Sequence, residues 1–213
     1  MKKLLLVVTL LTIAFSLTAS PSMAAVIYFE PMIGGSRTIE IDPYSVKGDA
    51  TQQIIGLEIP VDKFKVGIEY FEGTLESHEE LGIEESDFDG FELKGGFNMI
   101  NNPELKIDLI ASEFSQDFQN PEVEVDGTLV GADLTYKFSN KTFFNGSVNK
   151  SVKAEYDGLE ASILNYRFKL IQMLSRNISL AAGYRYYTID AENWLYDQKL
   201  TISGPVISVA YSF

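Results

Sequence analysis

The feature that most constrains this chain is a period of two in its hydrophobicity, repeated along most of its length. In Phe91-Glu92-Leu93-Lys94-Gly95-Gly96-Phe97-Asn98-Met99, the apolar Phe91, Leu93, Phe97 and Met99 share one face, and Glu92, Lys94, Gly96 and Asn98 share the other. Successive side chains point to opposite faces in a β-strand, so this spacing predicts strand. The pattern recurs with Phe64, Val66, Ile68 and Tyr70 against Lys65, Gly67 and Glu69, and with Leu105, Ile107, Leu109 and Ala111 against Lys106, Asp108 and Ser112. The end of the chain sets Ile207, Val209, Tyr211 and Phe213 against Ser208, Ala210 and Ser212. Ten strands are expected, at roughly 26–36, 51–60, 63–73, 90–100, 104–114, 127–138, 142–156, 161–173, 177–189 and 200–213, with eight as the alternative count. The stretch after Gly158 is the weakest of them, because Leu159, Ile163, Leu170 and Leu174 would also line one side of a helix. Pro31 and Pro205 each remove a ladder donor and predict bulges or irregular closure in the first and last strands.

The connections sort into two alternating sets. Pro60-Val61-Asp62-Lys63, Asn101-Asn102-Pro103-Glu104, Ser139-Asn140-Lys141-Thr142 and Leu174-Ser175-Arg176-Asn177 are short and rich in turn residues. Mostly longer connections lie between them, near 37–50, 74–89, 115–126, 157–160 and 190–199. This order predicts an antiparallel up-and-down meander, with turns at one end and loops at the other. Residues 1–24 stand apart. Lys2 and Lys3 precede an apolar run from Leu4 to Leu17, and Ser22 and Ala24 are the small residues of a cleavage site, so 1–24 reads as a cleaved signal peptide. An uncleaved anchor is the alternative, for which that run is short. The remaining 25–213 reads as a single domain, and cleavage would raise the net negative charge from −13 to −15. No later stretch reaches the ~20 apolar residues of a transmembrane helix.

Composition removes whole classes of chemistry. Zero cysteines exclude disulfides, thiolate metal sites and a cysteine nucleophile, and the single histidine, His78, excludes multi-histidine metal sites. A charge of −13 argues against nucleic acid, which needs a basic face.

Alternation alone fits a soluble sandwich as well as a membrane barrel. The polar face carries Glu30, Glu58, Lys65, Glu69, Glu92, Lys94, Lys106, Asp108, Asp133, Lys137, Lys153, Glu155, Arg167, Lys169 and Arg185, mixed in sign. In a barrel these charges pair across the lumen while the apolar face meets lipid. Aromatic placement favours the barrel. Phe64, Phe97, Phe138, Phe144, Phe168, Tyr211 and Phe213 fall toward the short-turn or terminal end of their strands, whereas Tyr70, Phe91, Tyr156, Tyr184, Tyr186 and Trp194 fall toward the other. Two such belts are expected at two membrane interfaces. Glu113 and Lys150 fall on the apolar face and would need to lie near an interface. With its leader and its end, Val209-Ala210-Tyr211-Ser212-Phe213, the whole mature chain resembles the small outer-membrane β-barrel proteins of diderm bacteria; the subfamily is not identified. The resemblance implies an all-β transmembrane barrel in the outer membrane, with outer-membrane lipid around it. It also implies that the barrel-assembly machinery reads a terminal signal at Val209, Tyr211 and Phe213.

Barrels of eight strands have filled interiors and ten lies close to that end, so long side chains of both signs should interlock. The candidate lumen charges are Glu58, Glu69, Glu92, Lys94, Arg167, Lys169 and Arg185. The first functional expectation is a monomeric, non-enzymatic protein with a structural or surface-binding role and a largely occluded polar lumen. The second is a narrow channel for small solutes, and the third a membrane-embedded hydrolase or acyltransferase. His78 lies in an acidic loop, with no Asp-x-His in the chain, so it reads as solvated and no catalytic residue is assigned. Eight acids between Glu72 and Asp89 predict loose attraction of divalent cations, without the full spacing of a calcium loop. No specific metal site or cofactor is expected, and the Asn-x-Ser/Thr triplets read as coincidental.

Overall fold

The computed structural model describes residues 25–41, 44–77, 85–192 and 197–213. Residues 1–24, expected to be a signal peptide, and His78 and Trp194 lie outside the described residues. Eleven strand segments follow one another: β1 (Val26–Pro31), β2 (Gly35–Ile41), β3 (Tyr44–Val61), β4 (Phe64–Leu75), β5 (Ser86–Asn101), β6 (Leu105–Gln119), β7 (Glu122–Lys137), β8 (Thr142–Tyr156), β9 (Leu159–Met173), β10 (Ile178–Glu192) and β11 (Asp197–Ser212). From β2 onward each pairs antiparallel with the next, and β1 and β2 both lie between β11 and β3. These two are therefore one interrupted strand, and the barrel closes with ten staves.

The interruption falls at Pro31, and Pro205 faces it across the seam. Met32 and Ile33 keep the wall closed by donating N–H bonds to the carbonyls of Gln52 and Pro205, both at 2.8 Å. Gly34 takes the left-handed conformation (φ +61°) that swings the chain back into register. At the other end of the seam Ala25 and Phe213 exchange backbone hydrogen bonds of 3.1 and 3.0 Å. The stretch after Gly158 is a strand, started by an Asp157-Gly158 turn in which both residues have positive φ, as a two-residue hairpin of type I′ requires.

Several segments expected to be loops are ladder instead. Pairing runs to Ile41↔Tyr44, Gln119↔Glu122 and Tyr156↔Leu159. Strands of 15–18 residues are common here, longer than the ~9–11 that cross a bilayer. Along these strands the hydrophobic pattern inverts. In β6, Leu105, Ile107, Leu109 and Ala111 point out and Asp108 and Ser112 point in; beyond them Phe114 and Phe118 point in and Glu113, Ser115 and Asp117 point out. β7 repeats this in reverse order: Val125 and Leu129 are fully buried beside outward Glu124 and Asp126, and Val130, Leu134 and Tyr136 then face out. The half near the short turns is thus apolar outside and polar inside; the other half is polar outside and apolar inside. Glu113 ceases to be an exception, since it marks the first outward position of the water-facing half.

One local correction follows from a bulge. The β7–β8 register steps from Thr128↔Lys153 to Leu129↔Ser151, leaving Val152 unpaired and 65% exposed. One extra residue reverses the facing of everything after it. Lys153 and Glu155, read above as polar-face residues of the lumen, therefore point outward, and Tyr156 turns inward against the core instead of joining an interfacial belt. The β8–β9 ladder is broken between Lys150 and Glu155, where the Ser151 hydroxyl accepts the Ile163 N–H at 2.8 Å in place of a backbone carbonyl.

Candidate functional site

The interior is filled by two layers. Toward the short turns, Glu69 is buried and its Oε1 accepts from three donors: the Tyr28 hydroxyl, Lys94 Nζ at 2.7 Å and Arg167 Nη2 at 3.2 Å. Lys94 also lies 3.3 Å from Glu92 Oε2, while Ser112 donates to Glu92 Oε1 at 2.7 Å. Glu30 takes Lys169 Nζ at 2.7 Å and Arg167 Nη1 at 3.4 Å. Tyr28 can lie across the lumen because its cross-strand partner is Gly56, where a methyl would overlap the ring. Arg185 is buried with them but makes no ion pair among the described residues, and its Nε and Nη1 have no hydrogen-bond partner. The cluster therefore holds four cations, Lys94, Arg167, Lys169 and Arg185, against three carboxylates, Glu30, Glu69 and Glu92.

Of the seven charges picked from the sequence, six meet in this cluster. Glu58 instead lines a cavity of about 350 Å³ below it, toward the short turns. Lys65 crosses that cavity to Asp133 and to Asp108 at 3.2 Å, and Asn98 donates to Asp108 at 2.7 Å. Glu30, Lys65, Asp108 and Asp133 stood on the polar face without being singled out. Their parity was legible; their meeting across the barrel was not.

Above the charges lies an apolar layer. Phe71 stacks on Phe114 with ring centroids 5.4 Å apart, Phe114 meets Tyr187 at 5.7 Å, and Phe88 meets Phe118 at 5.7 Å. Ile54, Leu129, Ile163, Ile189 and Ile202 complete the layer, and Tyr187 donates to Gln116 Oε1 at 3.0 Å. Gly73 and Gly90 leave the space that Phe88 and Phe71 occupy. This layer was missed because Phe88 and Phe118 fall in segments read as loops. The signal was present in Phe114-x-Gln116-x-Phe118, an alternation with the apolar face switched. Beyond it, at the mouth, a second cavity of about 120 Å³ opens beside the buried Arg37.

On the outside, Val209 and Tyr211 are 49% and 47% exposed, and Tyr211 stacks on Phe213. Of the acids between Glu72 and Asp89, Glu79, Glu80 and Glu84 lie outside the described residues. Glu72 and Asp89 sit opposite each other, both within reach of the Tyr70 hydroxyl at 3.1 and 3.4 Å.

No protein-family model matches the chain, and no curated protein matches it by sequence. Solved structures do. The outer membrane protease OmpT of Escherichia coli superposes with a TM-score of 0.61, covering 91% of this chain and 98% of that one at 8% identity. The β domain of the Bordetella autotransporter BrkA gives 0.53, covering 89% and 99%, also at 8% identity. The likeness is one of fold: this is a closed, ten-stranded antiparallel barrel of the outer-membrane kind.

Proposed function

We propose that this chain is a non-enzymatic integral protein of the outer membrane, exported on residues 1–24, with a structural or surface-binding role and a lumen that does not conduct. The observation that carries this reading is the stack inside the barrel, a paired charge cluster backed by a layer of interlocked aromatic and aliphatic side chains. Ions crossing it would have to displace both. Exposed Leu93, Phe97, Leu109, Val148, Leu170, Leu180 and Val209 give the short-turn half a surface that lipid covers at no cost and water does not. The short turns then face the periplasm and the protruding hairpins face outward. Val209, Tyr211 and Phe213 supply the assembly signal.

Single-channel recording of the purified barrel in a planar bilayer tests the closed lumen. The expected result is a flat trace at all moderate voltages. Reproducible ohmic steps would overturn it in favour of a narrow channel, and hydrolysis of a lipid or peptide by the same preparation would overturn the non-enzymatic reading.

A further inference from the structure

The mouth cavity has its own chemistry, independent of whether the lumen conducts. Arg37 points inward from β2 and is 1% exposed. It fits because its partner across the β2–β3 ladder is Gly48, where a methyl would stand 2.9 Å from the guanidinium Nε. Its partner on the other side, Ile202, is fully buried and offers no acceptor. Nε and Nη2 have no hydrogen-bond partner. An arginine cannot shed its charge, and although Glu76 acts on that charge, among the described residues no acceptor bonds these two donors, so a bound acceptor would satisfy them.

The two free nitrogens share one edge of the guanidinium plane. That is the edge which grips both oxygens of a carboxylate through two parallel N–H···O bonds. Arg185 provides a contrast: its free atoms are Nε and Nη1, which do not share an edge, and it lies within the charged cluster. Beside Arg37 the cavity is walled mostly by apolar side chains, among them Leu75, Phe118, Ile189 and Leu200, with Ser86, Asn120, Gln198 and Lys199 also on its lining. An apolar cavity of about 150 Å³ holds a benzene ring, so the 120 Å³ here takes a ring or chain of about six carbons. Glu76 acts on the Arg37 charge and disfavours ligands of multiple negative charge there, while Lys199 stands on the lining as a second cation.

We propose that the barrel mouth binds a small monocarboxylate amphiphile, its head held side-on by Arg37 and its short apolar tail lodged against Phe118, Leu75 and Leu200. The test is calorimetric titration of the full chain in lipid nanodiscs with hexanoate, hexanol, acetate and hexyl phosphate, with empty nanodiscs subtracted to remove partitioning into lipid. Saturable hexanoate binding is expected, with the other three weaker by about tenfold or more, because each lacks the head, the tail or the single charge. Arg37→Gln should lose about tenfold or more in hexanoate affinity, and Arg37→Lys should not restore it, since an ammonium has no edge to offer. Leu200→Trp, which fills the cavity and leaves Arg37 in place, should lose binding as well, so the proposal remains testable if Arg37 variants fail to insert. Absence of saturable hexanoate binding, equal binding of hexanol, or unchanged affinity in Arg37→Gln or Leu200→Trp would overturn it.

Discussion

The excess of cations in the central cluster predicts that two neutralising substitutions have very different consequences. Glu69→Gln is nearly isosteric but removes the charge that three donors share on one oxygen. It leaves Glu30 and Glu92 against four buried cations. Removing one partner of a buried pair costs about 3–5 kcal/mol, and the lower part of that range applies here because Lys94 and Arg167 keep side-chain exposures of 10% and 11%. Arg185→Met removes a cation that has no ion pair among the described residues and carries two unmatched donors, at a buried position. Lost attraction to the acids is offset by relief of repulsion with Arg167, its direct cross-strand partner, and by the removed desolvation penalty, so the change should stay within about 1 kcal/mol of the parent. The double variant should be more stable than Glu69→Gln alone, because it brings the charges back toward balance. Urea titration of protein folded into lipid vesicles, followed by intrinsic fluorescence and by mobility on unheated detergent gels, measures all three. A Glu69→Gln barrel within about 1 kcal/mol of the parent, or an Arg185→Met barrel destabilised as much as Glu69→Gln, would refute the charge accounting.

Phe114→Ala takes the central ring from the apolar layer and should cost about 3–5 kcal/mol in the same titration, whereas Phe97→Ala, on the lipid-facing side, should cost far less. Deleting Phe213 removes its backbone exchange with Ala25 and the ring beside Tyr211, and should lower the outer-membrane fraction at matched expression more than deleting several residues within 79–84; equal insertion would argue against a terminal signal. On the β6–β7 hairpin, Asp126 and Asp117 hold the fully exposed Glu124 carboxyl above the usual glutamate range. Its ionised form is thus disfavoured in the folded state, so the hairpin is under least repulsion below that raised pKa and most above it. Asp126→Asn should bring the titration of Glu124 down, as read by carbonyl NMR.

How much of this was legible depends on which half of the barrel is considered. Along Leu105–Ser112 the sequence alternates with an apolar face and a mixed-charge face, and the strand, its facing and its lumen charges follow from that alone. Beyond the bilayer both sides of the wall change solvent, so Phe114, Gln116 and Phe118 take the inward positions. A rule that equates apolar with outward reads such a segment as loop. The Val152 bulge defeats parity for another reason: a single unpaired residue leaves no mark in composition, yet it exchanges the facing of Lys153, Glu155 and Tyr156. By contrast, Asp157-Gly158 is a strong local signal for a two-residue hairpin and would have settled the strand after it. Arg37 lay in a segment read as loop, and its meaning depends on Gly48, on the opposite strand, and on a cavity no local pattern reveals.

The wall inverts its polarity partway along its long strands, as β6 and β7 show, with lipid outside one half and water outside the other. The absence of cysteine permits single-site spin labelling along β6 without a background. Labels at 107, 109 and 111 should relax with oxygen, which concentrates in lipid, and labels at 115 and 117 with a water-soluble nickel chelate, with 113 at the crossover. Labels at 112 and 114 should be shielded from both. Oxygen-dominated relaxation at 115 and 117, or chelate access at 107 to 111, would contradict the inverted wall and with it the account of how this chain fills its own interior.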